Sequence, residues 1–280
     1  MTLFATPGPN RAGELARRAV DDGCDLVLAA GGDGTINEAV NGIAGSHVIF
    51  GVLPSGTANV LANEIGLPDR PDLAAKQILA STPTRIALGR LDQPGLPHRY
   101  FVLMAGIGLD ARIVYDLDLD LKKKVGKLAY WHGGFRQFGR PTPFFRATVN
   151  GEEHHASFAL ITRVRNYGGD FEIARQVRLT DNDFEIILLC DNQWHDYLRF
   201  VGAVMINRLS KMEGVVVTRA AGIEVFGAED QRIYIQTDGE AVGRLPATIT
   251  TVPDALTLLL PKQYLARHVP AVQFREPLVT

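Results

Sequence analysis

Twice within residues 26–66 the sequence runs from a short apolar stretch, through a turn of small residues, into a helical pattern. The first unit is LVLAAGGDGTINEAVNGI and the second is VIFGVLPSGTANVLANEIG. A continuous apolar run of this length is typical of a strand buried on both faces, and strands that alternate with helices form parallel sheets. The order therefore predicts a parallel α/β sheet whose two turns lie side by side at the carboxyl ends of neighbouring strands.

Beyond residue 82 strand-like runs replace the helical patterns, among them FFRATV, FEIILLC, GVVVTRA and ALTLLLP. Asn150-Gly151 lies between two such runs and predicts a two-residue hairpin turn. The pattern indicates a small α/β domain followed by a larger β-rich domain, with a boundary near residues 82–88. A chain of 280 residues is long enough for both.

Composition excludes several classes of protein. The net charge of −2 argues against bulk binding of nucleic acid, which normally requires a basic excess. No apolar run reaches the ~18 residues that cross a bilayer, and the N-terminus lacks the pattern of a signal peptide. Cys24 and Cys190 lie far apart in apolar runs, so we expect neither a disulfide nor a zinc site. A cytoplasmic protein, at most peripheral at the inner membrane face, fits these features.

The glycine turns are suited to bind phosphate. Glycines let the backbone approach a ligand closely, and free N–H groups at the start of a helix attract anions. Asp33 would repel phosphate unless a cation such as Mg²⁺ lies between them. The alternative is an ordinary turn in which Asp33 or Thr35 caps the helix. The sequence has neither a GxxxxGK[ST] nor a GxGxxG motif, which weighs against Walker-type NTPases and dinucleotide-binding domains.

The second turn is expected to work in the same way. Gly56 and Thr57 would open the helix, and Ser55 and Asn59 would be neutral hydrogen-bond donors to the ligand.

Several segments, in order, resemble the diacylglycerol kinase catalytic domain family, which includes bacterial lipid kinases and the sphingosine kinases. They are GGDGTINEAVNG and GVLPSGTANVLANEIGLP, followed by GIGLDA, KKVGKLAYW, NYGGDFEIA and TDGE. The resemblance covers nearly the whole chain. It implies an α/β nucleotide-binding domain over residues 1–84, a β-sandwich-like lipid-substrate domain over 85–262, and an active site in the cleft between them. A tail over 263–280 is expected to pack back on the first domain, which would lack the family's first strand and helix.

The resemblance also implies which residues form the site. ATP would lie in the cleft. The residues expected to contact it are Thr6, Gly31, Gly32, Asp33, Gly34, Thr35, Ile36, Asn37, Ser55, Gly56 and Thr57.

The carboxylates Asp238 and Glu240 would handle the acceptor, with Glu240 taking the proton of the lipid hydroxyl. A strand is expected to present both side chains on one face, because they are two residues apart. The alternative is a solvated turn, since Asp-Gly is a common turn dipeptide.

By the same resemblance, Mg²⁺ would be bound by Asp181 and by the backbone carbonyls of Arg178 and Asp183. Asn182 stands where the family has Gly, and Asn tolerates the left-handed conformation that such a turn requires. Asp33 and Asp110 would join a water-mediated metal network.

The activity so implied is ATP- and Mg²⁺-dependent phosphorylation of a hydroxyl on a diacylglycerol-like lipid at a membrane surface. Lys122–Lys124 and Lys127 would contact anionic head groups, or form a solvated helix face. Two alternatives stay open: an NAD kinase, whose other characteristic segments are not found here, and a catalytically silent nucleotide- or lipid-binding homologue. The sequence leaves open both the identity of the lipid and a homodimeric state.

Overall fold

The protein is described by a computed structural model that covers residues 2–108, 111, 143–167, 171–174, 176–191, 193–206, 208–228 and 232–268. Its N-terminal part contains four helices and two strands. They are α1 (Ala12–Asp21), β1 (Leu26–Gly31), α2 (Asp33–Ile43), β2 (Ile49–Pro54), α3 (Val60–Glu64) and α4 (Pro71–Ile78).

Strands dominate the rest of the described chain. They are β3 (Thr82–Asp92), β4 (Arg99–Phe101), β5 (Met104–Gly108), β6 (Phe145–Val149), β7 (Glu152–Ala156), β8 (Phe158–Thr162), β9 (Asn166–Tyr167), β10 (Phe171–Glu172), β11 (Phe184–Leu189), β12 (Val215–Ala220), β13 (Gly222–Gly227), β14 (Tyr234–Thr237), β15 (Glu240–Arg244) and β16 (Ala247–Leu260). The helices between and after them are α5 (Trp194–Met205), a 3₁₀ turn (Leu209–Lys211) and α6 (Lys262–His268).

The parallel pairing predicted for the first two strands is present. β1 and β2 run side by side in register from Leu26 opposite Ile49 to Gly31 opposite Pro54. Helix α2 buries an apolar face at helical spacing, including Ile36 and Val40, against this sheet. Because the two strands end level with each other, the turns that follow them start from neighbouring positions.

The last long strand, β16, joins the two parts of the molecule. Its C-terminal half pairs with β2 in parallel, and its N-terminal half pairs with β13 in antiparallel. Along its other edge it pairs with β3 over almost its whole length, with a bulge between Val252 and Leu256. The first sheet therefore runs without a break from β1 to β7, and the boundary expected near residues 82–88 falls inside β3.

The second sheet is antiparallel and has the order β12, β11, β8, β5, β14, β15. It packs face to face on the β-rich half of the first sheet. Apolar side chains such as Phe145 and Ile249 from the first sheet meet others such as Ile186 and Ile235 from the second in one buried cluster. The predicted fold class, an α/β layer followed by a β-sandwich-like part, is confirmed.

Local predictions are confirmed at the hairpin. Asn150 and Gly151 have φ angles of 52° and 82° and join the antiparallel strands β6 and β7. No helix within the described ranges is long and apolar enough to cross a membrane.

Several predictions lie outside the described residues. These are Asp110, the segment KKVGKLAYW with Lys122–Lys124 and Lys127, the two glycines of NYGGDFEIA, and the tail from residue 269 onward.

Candidate active site

The two glycine turns touch each other through their main chains. A Cβ atom added to Gly56 would lie 2.5 Å from the Cα atom of Gly32, and one added to Gly32 would lie 3.2 Å from the Cα atom of Gly56. The N–H group of Ser55 donates a hydrogen bond to the carbonyl of Gly31 at 3.0 Å. Contact this close excludes a side chain at Gly56 and leaves little room for one at Gly32, so the two turns approach each other main chain to main chain.

Asn59 sets the shape of the second turn. It has a left-handed conformation with φ of 47°, and its side-chain amide both accepts from the N–H group of Gly56 at 2.8 Å and donates to its carbonyl at 3.0 Å. Helix α3 consequently begins at Val60, so the prediction that Gly56 and Thr57 open it is wrong. Asn59 is buried and bonded within the loop, and it is therefore not a donor to a ligand. Thr57 is exposed, and so are the two residues before it in the turn, Ser55 and Gly56.

Asp33 ties the first turn to the second. Its Oδ1 atom accepts a hydrogen bond of 2.7 Å from the N–H group of Val60, the first residue of α3. Burial raises the pKa of Asp33, while hydrogen bonds from the N–H groups of Val60 and Leu61 oppose that rise. The N-cap position of α2 is occupied by Gly32, so it is held by neither Asp33 nor Thr35, which both lie within the helix. Asp33 therefore caps the neighbouring helix through Oδ1, and its part in a metal network stays a prediction.

Glu240 reaches the first turn of α2 from the second sheet. A Cβ atom on Gly34 would lie 2.9 Å from the Oε1 atom of Glu240, so the carboxylate lies where a larger residue at position 34 would place its side chain. The start of a helix carries partial positive charge, which favours a carboxylate there. Asp33 and Glu240, remote in sequence, therefore lie beside the same turn.

A chain of polar contacts leads away from Glu240. Its Oε2 atom forms an ion pair with Nη2 of Arg99 on β4. The same nitrogen donates to Oδ1 of Asn37 at 3.1 Å, and Nδ2 of Asn37 donates to Oδ2 of Asp238 at 2.8 Å. The sequence contains no signal for Arg99, because it belongs to no motif and lies on a strand of the first sheet, whereas Glu240 lies on a strand of the second.

Asn37 and Ile36 face the protein rather than the cleft. Asn37 is 1% exposed and its side chain is engaged by Arg99 and Asp238, whereas Ile36 is 3% exposed and packs in the core. A contact of either residue with nucleotide would therefore have to be made by the main chain, and it stays a prediction.

Asp238 is a buried residue of a hairpin turn. With φ angles of 49° and 82°, Asp238 and Gly239 form the two-residue turn between β14 and β15. The Asp238 carboxylate accepts hydrogen bonds of 2.9–3.0 Å from the N–H groups of Val102, Leu103 and Met104, in addition to the one from Asn37.

The alternative of a solvated turn is excluded at Asp238, because this residue is buried and its carboxylate is bonded on both oxygens. Burial also raises the pKa of Asp238. Asp238 and Glu240 both connect to the amide of Asn37 on α2, Asp238 directly and Glu240 through Arg99.

The other predicted nucleotide contacts lie as follows. Thr6 is exposed in the segment before α1, and the start of α1 is held to α2 by the carboxylate of Glu38, which accepts from the N–H groups of Asn10 and Ala12 at 2.8 Å each. The side chain of Thr35 packs against Gly31, where an added Cβ atom would lie 2.7 Å from that of Thr35.

The predicted magnesium loop brings its two carboxylates together around a guanidinium. Nη2 of Arg219 lies 2.7 Å from Oδ2 of Asp181 and also pairs with Asp183. The N–H group of Arg178 donates to the same Oδ2 atom at 3.1 Å. Within the described residues no cluster of three or more His, Cys, Asp or Glu side chains is arranged to hold a metal ion. In the predicted donor set, Oδ2 of Asp181 is bonded by Arg219, and the carbonyl of Arg178 accepts a hydrogen bond from the N–H group of Asp181 at 2.9 Å. Since these oxygens already have partners within the protein, the set as folded here does not fit Mg²⁺.

Comparison with known proteins defines the class of this molecule. Residues 1–91 match the diacylglycerol kinase catalytic domain, and residues 104–260 match the YegS C-terminal NAD kinase beta sandwich-like domain. The fold also resembles the crystal structure of a diacylglycerol kinase from Bacillus anthracis str. Sterne, with a TM-score of 0.75 at 20% identity, covering 93% of this chain and 85% of that one.

Curated relatives agree with this classification. The diacylglycerol kinase of Bacillus subtilis (strain 168) is 28% identical over 94% of this chain and 86% of its own length. That of Mycobacterium tuberculosis (strain ATCC 25618 / H37Rv) is 29% identical over 90% and 82%. The protein is thus a phosphotransferase with an alcohol group as acceptor. It belongs to the diacylglycerol kinase catalytic domain family, and membership of a kinase family implies the use of ATP.

Proposed function

We propose that the protein transfers the γ-phosphate of ATP to a hydroxyl group of a diacylglycerol-like lipid presented at a membrane surface, giving a phosphatidic-acid-like product. The observation that carries the proposal is the position of the Glu240 carboxylate at the first turn of α2, beside the two touching glycine turns. The curated relatives named diacylglycerol kinase favour this class of acceptor over others.

The proposed chemistry asks mainly for positioning and charge stabilisation, because phosphoryl transfer involves little covalent work by the protein. Peptide N–H groups of the turns around Gly32 and Gly56 would hold the phosphates. Glu240 would take the proton of the lipid hydroxyl through Oε1, to which no described residue donates a hydrogen bond. Arg99 binds the other oxygen and fixes the orientation of the carboxylate. Asp238 would position Arg99, and through it Glu240, by its hydrogen bond with Asn37.

Dependence on Mg²⁺ is proposed as a property of the nucleotide. Mg²⁺ is usually bound by substrate phosphates and water with only one or two carboxylates, and it neutralises charge on the phosphates. The described carboxylates Asp33, Asp181 and Asp183 are engaged by peptide N–H groups or by Arg219. We therefore assign no step of the reaction to a metal ion held by the protein.

A transfer assay tests the proposal. The full chain is incubated with γ-labelled ATP and Mg²⁺ and with vesicles containing diacylglycerol, monoacylglycerol, phosphatidylglycerol or sphingosine, and NAD is supplied in a parallel reaction. We expect label in a diacylglycerol-type lipid with the wild type and a strong loss with Glu240→Gln. Failure to label any lipid, together with binding of ATP, would support the silent homologue instead.

An NAD kinase is the second candidate, because the model that matches residues 104–260 describes an NAD kinase-like sandwich. The parallel reaction separates the two. Label in NAD with none in any lipid would overturn the proposal in favour of that activity.

A further inference from the structure

The loop over residues 176–183, which leads into β11, is held on its outer side by Arg219. The Nε atom of Arg219 donates to Oδ2 of Asp183 at 2.9 Å, and Nη2 contacts both Asp183 and Asp181. Its remaining nitrogen, Nη1, donates to the carbonyl of Gln176. All three nitrogens of one guanidinium are thus bonded to oxygens of this loop.

The strand pairing places Arg219 there. β12 lies antiparallel to β11 with Arg219 opposite Glu185, which is two residues beyond Asp183. The hydrogen bonds to Asp183 and Asp181 raise the pKa of Arg219 further, so its charge is permanent at any pH at which the protein is folded. The guanidinium is therefore a fixed positive charge whose position is set by the sheet.

Arg163 holds the same loop from inside. It is completely buried, and its Nη2 atom donates to the carbonyls of Leu179 and Asp181 at 2.8 and 3.1 Å. Burial lowers the pKa of Arg163 to about 10, which leaves the side chain charged at neutral pH. The loop consequently lies between two guanidinium groups, one on each side.

We propose that these two arginines replace a divalent cation in this loop. Arg219 bonds the carboxylates of Asp181 and Asp183, and Arg163 bonds carbonyl oxygens of the same loop, so two positive charges lie where one Mg²⁺ ion would otherwise supply them. Mg²⁺ needs near-octahedral oxygens at about 2.1 Å from one point, and a guanidinium between the carboxylates keeps them from converging on such a point. A planar guanidinium fork also matches carboxylate geometry better than other side-chain cations do.

Two consequences follow from the replacement. The folded loop does not require divalent ions in the wild type. Removal of Arg219 leaves two adjacent carboxylates without their main partner, and these then bind a divalent ion from solution. Neither consequence depends on the activity of the protein, so both can be tested without nucleotide or lipid.

Thermal unfolding in EDTA and in millimolar MgCl₂ or CaCl₂ provides the test. For the wild type we expect the same midpoint in all three solutions. Arg219→Gln should lower the midpoint in EDTA by about 5 °C, and either cation should restore much of the loss. The matched control is Arg90→Gln, which removes an exposed ion pair with Asp92 on β3 and should show no response to metal.

A second pair of proteins keeps the test decisive if Arg219→Gln does not fold. Wild type and Asp181→Asn are compared in EDTA and in MgCl₂. Equal midpoints with and without Mg²⁺ in both proteins support the replacement. Stabilisation of the wild type by Mg²⁺ that is lost in Asp181→Asn overturns it, and so does an Arg219→Gln protein that is destabilised yet gains nothing from either cation.

Discussion

Two regions of the molecule combine a pair of carboxylates with an arginine, and they are built in different ways. Around Arg219 a single guanidinium bonds both Asp181 and Asp183. Around Arg99 the guanidinium bonds one carboxylate, that of Glu240, and the amide oxygen of Asn37. The partner carboxylate of Asp238 is bonded instead by three peptide N–H groups and the Asn37 amide. In the first region both acids are neutralised together, whereas in the second the two acids are separated.

The separation shows how one carboxylate can stay available for chemistry next to another. Asp238 is buried and fully bonded, so it fixes the turn that carries Glu240. Glu240 remains about one-third exposed, with one oxygen at the start of α2. A closed ion-pair cluster such as that of Arg219 stabilises a loop, and the divided arrangement suits a group that exchanges a proton.

The largest expected effect is on activity at Glu240. Glu240→Gln keeps the size of the side chain but removes its ability to take a proton, so kcat should fall by about 10²–10⁴-fold. Initial rates of lipid phosphorylation measure the loss, and the midpoint of thermal unfolding should change little because the Glu240 side chain is partly solvated. Glu153→Gln, on the exposed β6–β7 hairpin, is the matched control. A Glu240→Gln protein with more than a tenth of wild-type activity would remove Glu240 from the proposed role.

For Asp238 the comparison predicts that stability is affected strongly. Asp238→Asn replaces an acceptor of four hydrogen bonds with a side chain that has one acceptor oxygen and an N–H₂ group directed at buried donors. We expect the free energy of unfolding to fall by about 2–4 kcal/mol. Urea unfolding measures this fall, with Asp69→Asn on the surface as a control that should stay within about 0.5 kcal/mol. Equal stability of the two variants would contradict the assignment of Asp238 to a positioning role.

What the sequence predicted correctly depends on local chemistry. The parallel strands follow from continuous apolar runs, the hairpin from Asn150-Gly151, and the two glycine turns from small residues between a strand and a helix. Each of these signals lies within a few residues of the feature that it specifies.

What the sequence did not predict depends on partners far along the chain. Asp238 finds its donors 134–136 residues away, and Arg99 meets Glu240 across 141 residues. Asp33 caps α3, a contact that the sequence did not indicate, and α3 begins later than expected because Asn59 is left-handed. In each case the residue type was informative, but its direction was decided by tertiary contacts.

Substitutions at Gly56 and Gly34 test whether the glycine turns and the Glu240 carboxylate have separate roles. Gly56→Ala would place a Cβ atom 2.5 Å from the Cα atom of Gly32, so the two turns must separate. Because the turns are proposed to hold the phosphates, we expect the KM for ATP to rise about 10-fold and the unfolding midpoint to fall. Gly34→Ala meets only the end of the flexible Glu240 side chain, so it should lower kcat about 10-fold at nearly unchanged stability. Gly202→Ala, which meets no atom within 4 Å, is the control. Identical effects of Gly56→Ala and Gly34→Ala would argue against separate roles for turn and carboxylate.

The smallest effect concerns Glu64, a partly buried carboxyl that contacts neither Arg99 nor Arg219. Glu64 accepts a hydrogen bond from the N–H group of Arg165 at 3.3 Å and lies 3.5 Å from the hydroxyl of Tyr264 on α6. Burial raises the pKa of Glu64 above its ordinary value of 4.5, although Arg165 opposes the rise. The folded protein therefore binds this proton more tightly than the unfolded chain does. The contribution to stability is complete at and below pH 4.5 and is lost as the pH rises through the raised pKa.

Glu64→Gln removes this dependence because glutamine stays neutral at every pH. The difference in unfolding free energy between Glu64→Gln and wild type should grow in favour of the variant above pH 4.5, by at most about 1.4 kcal/mol for each pH unit, and then level off. Urea unfolding of both proteins at a series of pH values gives this difference, in which the titration of all other groups cancels. Two parallel curves would mean that Glu64 has the same proton affinity in the folded and unfolded chain. Burial at the junction of α3 and α6 would then not disfavour the charge of Glu64, and the distinction between the buried Asp238 and the one-third-exposed Glu240 would have to rest on hydrogen bonding alone.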